Sequence, residues 1–104
     1  MEDLAAFLDR EVTVLAERLR HWNPRRWQAA APPYAHRSEA AFDLAKTFAE
    51  LARAPSGLTW IAEYVVPDQI AVTGRELAMS DHDEQVLETA LAELRRTRDL
   101  LGIS

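Results

Sequence analysis

The chain of 104 residues contains no cysteine, which excludes a disulfide framework, a thiolate nucleophile and any sulfur-ligated zinc or iron-sulfur centre. It has no apolar run near the roughly 20 residues that a membrane-spanning helix needs. The acidic start, Met1-Glu2-Asp3, is unlike the basic opening of a secretion signal, so the expectation is a soluble, unprocessed, cytoplasmic protein. Glycine is scarce, and Gly57, Gly74 and Gly102 stand apart from one another, so there is no glycine-rich phosphate loop and no nucleophile elbow. Lysine is almost missing: Lys46 is the single one among 12 basic residues. With alanine abundant, that bias is what a GC-rich genome produces, and arginine content alone says little about phosphate binding.

The one sharp local absence is acidity. Residues 18–37 hold no Asp or Glu, although the chain carries 17 acidic residues and a formal charge of -5. The same stretch contains Arg18, Arg20, Arg25, Arg26 and Arg37 with His21, His36, Trp22, Trp27 and Tyr34. Two opposite electrostatic surfaces within one small domain follow from this segregation.

Hydrophobic spacing predicts an all-α fold. Leu4, Leu8, Val12, Leu15, Leu19 and Trp22 recur in steps of three and four, one stripe on a long first helix. Pro24 stops it, because residues before proline avoid the helical region. Asn23 followed by Pro24 is also a cap and first residue for a short second helix, which Pro32-Pro33 ends. Ser38 is expected to cap a third helix with Ala41, Leu44, Ala45, Phe48, Leu51 and Ala52 on one face, closed by Pro55-Ser56-Gly57. Residues 58–66 mix strand formers with a helical face, and a short helix or an extended packed connector is favoured over an intermolecular strand pair. Pro67 and Asp68 restart a helix with Ile70, Gly74, Leu77 and Ala78 on its face. Gly74 gives up about 1 kcal/mol of helix propensity there, for which close helix approach is the simplest compensation. A last helix follows Ser80 or Asp81, with Leu87, Ala90, Leu91, Leu94 and Leu101 inward and Arg95, Arg96 and Arg98 near its end. The expected architecture is a single domain over residues 1–104, a small antiparallel bundle of about four main helices plus a short helix in the basic elbow.

His21-Trp22-Asn23-Pro24-Arg25-Arg26-Trp27 and Pro67-Asp68-Gln69-Ile70-Ala71-Val72-Thr73-Gly74-Arg75-Glu76-Leu77 resemble segments of a group of short actinobacterial helical proteins. The resemblance covers about a fifth of the chain. It implies a bacterial, cytoplasmic, helical protein; no activity is established for that group, and it supplies no site residues.

Arg18, His21, Trp22, Arg25, Arg26 and Trp27 form the candidate ligand site: arginine forks match a small anion, aromatic faces stack, and a helix beginning at Asn23-Pro24 offers N–H groups. The competing structural reading carries more weight. In it Trp22 and Trp27 close the core while the arginines offset helix ends and pair with Asp81, Asp83 or Glu84. Five clustered arginines against a surplus of acid elsewhere make nucleic-acid binding unlikely. His21, His36 and His82 have no helical pair spacing, so no metal site is expected; His82, between two aspartates, would be its least implausible ligand. The run Ser80-Asp81-His82-Asp83-Glu84 reads as a helix start, with carboxylates favouring the positive dipole end. No pattern supports catalysis or a cofactor. Two function classes stay open: an interaction or regulatory module that self-associates as a dimer through Trp60, Ile61, Tyr64, Val65 and Val66, and a domain binding a small anion at the elbow.

Overall fold

The computed structural model describes residues 3–53, 57–80 and 83–103. The helices run α1 Leu4–Leu19, α2 Pro24–Trp27, α3 Arg37–Leu51, α4 Val66–Met79 and α5 Glu84–Leu100, with a 3-10 turn, Glu63–Val65, leading into α4. Among the described residues there is no strand, only an isolated bridge between Ala31 and Tyr34 at a turn whose Pro32–Pro33 peptide is cis.

Each start has a local cause. The Asp3 side chain accepts the Ala6 N–H at 2.7 Å and caps α1. Asn23 does the same for Arg26 at 2.9 Å, with Pro24 supplying the preset first residue of α2. Asp83 caps α5 through the Val86 N–H at 3.0 Å. Ser80 turns back to the Glu76 carbonyl at 2.7 Å and so takes no part in that cap, while Asp81 lies outside the described residues.

Three boundaries differ from expectation. α1 ends at Leu19, and Trp22 follows a short turn closed by its N–H to Leu19 O at 3.1 Å. α4 opens at Val66, with Pro67 inside its first turn. Ser38 does not cap α3: the cap position belongs to His36, whose ring turns to the Gln28 carbonyl, and the Arg37 N–H is already taken by Ala29 O at 2.9 Å, so the helix starts two residues earlier and Ser38 is buried within it.

α4 packs against both α1 and α3, and α5 packs against the same two; α1 with α3 and α4 with α5 form no comparable interface. The first pairing runs antiparallel, since Arg20 near the end of α1 meets Asp68 at the start of α4. The α1 stripe fills the centre with Leu8, Val12, Leu15 and Leu19, and Ile70 and Leu77 of α4, Leu44 and Phe48 of α3 and Leu94 of α5 join the same cluster. Arg98 of α5 reaches Glu11 of α1 at 3.4 Å, both partly buried. Trp22, Trp27 and Ala31 extend the core into the elbow, which therefore ends the bundle as packed structure.

Candidate functional site

The elbow's two indoles meet edge to face, ring centres 5.0 Å apart at 64°. Trp27 is only 2 % exposed and Trp22 9 %, so both are core side chains first. The Arg26 guanidinium lies 4.7 Å and that of Arg37 5.6 Å from the Trp22 ring centre, two cations on one aromatic. His21 stands 3.7 Å from Glu17. Arg18 and Arg25 are exposed.

Of the donors at the start of α2, only the Arg25 N–H has no acceptor among the described residues. Arg26 N–H is bound by Asn23, Trp27 N–H by Asn23 O at 3.2 Å, and Gln28 N–H by Pro24 O at 3.0 Å. Nor does the arginine pairing follow the expected route to Asp83 or Glu84. Arg20 instead holds Glu17 at 2.7 Å, one helical turn back, and Asp68 of α4 at 3.0 Å. Those hydrogen bonds, Asp68 first and Glu17 second, raise its pKa further above the usual guanidinium value. Beside this pair a cleft of about 290 Å³ is lined by Leu19, Trp22, Trp27, Tyr64 and Pro67. Its one cation is offset by two carboxylates, a poor setting for an anion.

No family model, no curated protein and no solved structure matches this chain. The site therefore rests on its own geometry.

The second candidate set lies on the connector between α3 and α4. Residues 57–62 have no regular structure and are held by the Gln69 Nε2 donation to Thr59 O at 3.1 Å and by Trp60 set edge-on to Phe42, ring centres 5.4 Å apart at 90°. Trp60 is 45 %, Ile61 64 % and Tyr64 78 % exposed. Val65 is half-buried, whereas Val66 is fully buried as the first residue of α4 and is lost from the expected surface.

Two further concavities escaped the sequence reading. One, of about 510 Å³, runs along the ends of α3 and α4 past Ala52, Val72 and Met79 with Arg53, Arg75 and Glu76 at its rim. The other, of about 400 Å³, gathers Gln28, His36, Ser38, Glu39, Trp60 and Glu63 at the start of α3. Its residues come from three separate segments, so no spacing in the chain announces it. Among the described residues no group of His, Asp and Glu side chains could hold a metal ion; His82 lies outside them. No described helix is long and apolar enough to cross a membrane.

Proposed function

We propose that the protein is a small helical interaction module that self-associates through its connector, with Ile61 and Tyr64 at the centre and Trp60 and Val65 beside them. The observation that carries this is the coincidence of exposed apolar side chains and a sparsely bonded backbone: residues 58–61 make no backbone–backbone hydrogen bond within the chain among the described residues, and the Thr59 carbonyl is held by the Gln69 side chain. A folded chain rarely leaves such a segment without a partner, because an open backbone edge carrying aromatic and β-branched side chains is a template for pairing. A second copy offers the same segment, and a two-fold arrangement would cover both. A cytoplasmic bacterial setting suits a chain without cysteine.

The reading of the elbow as an anion site has less support, because its indoles are core, the α2 donors other than the Arg25 N–H are engaged and Arg20 is doubly paired.

Size-exclusion chromatography with light scattering, from about 1 to about 100 μM, tests self-association. A dimer is expected in the wild type, and a monomer of unchanged helical circular dichroism in the Ile61→Asp, Tyr64→Asp double variant. A wild-type monomer throughout that range overturns the reading.

A further inference from the structure

The concavity along the ends of α3 and α4, at about 510 Å³, is roomier than those at the elbow and at the start of α3, and shares no lining residue with either. Its apolar lining comes from Ala52, which closes α3, and from Val72 and Met79, two turns and about 10 Å apart on α4. Val72 is 56 % and Met79 77 % exposed, so neither belongs to the core. An unbranched, polarizable methionine adapts its shape to whatever lies on it.

Two cations border this apolar surface. Neither the Arg53 nor the Arg75 guanidinium forms a hydrogen bond or ion pair among the described residues. The helix dipole does not account for Arg75, which stands before the last turn of α4. Arg53 holds a left-handed backbone, φ 57°, that glycine adopts without the cost a side chain brings. Strain of this kind points to a use for the side chain that is present. Glu76 is also on the rim and has no ion-pair partner among the described residues, so two guanidinium groups and one carboxylate leave an excess of one positive charge.

A phosphate would use the arginines and leave the apolar lining bare. A neutral hydrocarbon would cover the lining and leave both guanidinium groups unpaired. A molecule with an apolar tail and a single negative charge matches both features, and arginine forks suit a carboxylate in particular.

We propose that this concavity binds a medium-chain fatty acid. The carboxylate accepts hydrogen bonds from Arg53 and Arg75, and the unbranched tail lies on Ala52, Val72 and Met79, whose span matches about eight carbons. The volume is within the range of small-molecule sites, which are apolar with a few placed polar groups. The inference stands apart from self-association, since none of these residues belongs to the proposed interface.

The test is calorimetry and methyl NMR on the full chain with octanoate, beside octan-1-ol, octylamine and acetate. Octanoate is expected to bind with a Kd of about 1 mM or tighter, to shift the Val72 and Met79 methyl resonances, and to exceed the other three by about ten-fold or more. The Arg53→Gln, Arg75→Gln double variant, with unchanged circular dichroism, should bind it about ten-fold more weakly. The Ile61→Asp, Tyr64→Asp variant should bind it like the wild type, so that the site is read independently of the oligomeric state. The proposal is overturned if octanoate does not bind, if octanol or octylamine binds as well, if the arginine variant binds like the wild type, or if the connector variant loses binding.

Discussion

A methyl group placed on Gly74 would lie 2.6 Å from Cγ1 and 2.8 Å from Cγ2 of Val12, inside van der Waals contact on both branches. α1 and α4 thus approach at a point where only a missing side chain fits. Propensity alone would make Gly74→Ala stabilising by about 1 kcal/mol. Overpacking against a stiff β-branched residue in a buried seam opposes this and should win, for a net loss of about 1 to 3 kcal/mol in urea unfolding. In a double-mutant cycle with Val12→Ala, which vacates the space, the two changes should be less damaging together than their sum by about 1 kcal/mol or more. Additivity would show that the helices simply slide apart.

The buried indole pair makes the elbow a stability element. Trp27→Ala is expected to cost about 3 to 5 kcal/mol, a large part of a small domain's total. Arg25→Ala, at an exposed position, should stay within about 0.5 kcal/mol of wild type. Urea melts of the two variants decide it: equal midpoints would mean that Trp27 is not holding the bundle end.

How much of this could be read from the chain depends on whether the cause was local. The stripe from Leu8 to Leu19 needs only helical periodicity, and it is buried as spaced. Asn23 with Pro24 carries its own cap, and α2 starts there. Ser38 misled because the start of α3 is decided by the Ala29 and Gln28 carbonyls, which take the Arg37 N–H and the His36 ring. The sequence offers Asp81, Asp83 and Glu84 as partners for the elbow's arginines, yet Asp68, which pairs with Arg20, sits 48 residues away and is brought there by the packing of α4 on α1. Apolar faces carry no address, so nothing in the helices foretold that α4 would pack on both α1 and α3 and not on its neighbour in sequence, α5. Residues 58–66 kept both readings open because Trp60, Ile61, Tyr64 and Val65 suit a strand or a helix equally, and the connector is neither until its final turn.

Two helices end with the same left-handed residue but different side chains. Gly102, at φ 72°, closes α5, its N–H bonding Asp99 O and the following Ile103 N–H bonding Arg98 O. Arg53, at φ 57°, holds the equivalent place after α3 and bonds Glu50 O at 3.0 Å. Arg53→Gly should therefore stabilise by about 0.5 to 1 kcal/mol, the Cβ strain removed less the extra freedom of the unfolded chain. Gly102→Ala should destabilise by about 1 kcal/mol or more, since its Cβ would also stand 3.0 Å from the Arg37 guanidinium. Opposite shifts in Tm of several degrees are expected, about 4 to 8 °C per kcal/mol for a domain of this size. Shifts of the same sign would exclude the cap geometry.

Tyr34 gives the fold a dependence on alkaline pH. Its hydroxyl donates to the Asp43 carboxylate, joining the turn before α3 to the helix itself. That bond first, and partial burial second, hold the proton above the ordinary tyrosine value near 10, against a smaller opposite pull from Arg96. The folded chain then keeps a proton that the unfolded chain releases near pH 10, so the contribution is complete below that pH and is lost as pH rises through 10 toward the folded value. Tyr34→Phe removes the bond and the slope together. Wild type should exceed the variant by about 1 kcal/mol between neutrality and pH 9, a modest figure because the pair is only half-buried, and the gap should narrow above pH 10. Urea midpoints at a series of pH values measure this directly; a gap that holds constant up to pH 11 would show that Asp43 exerts no hold on the tyrosine proton.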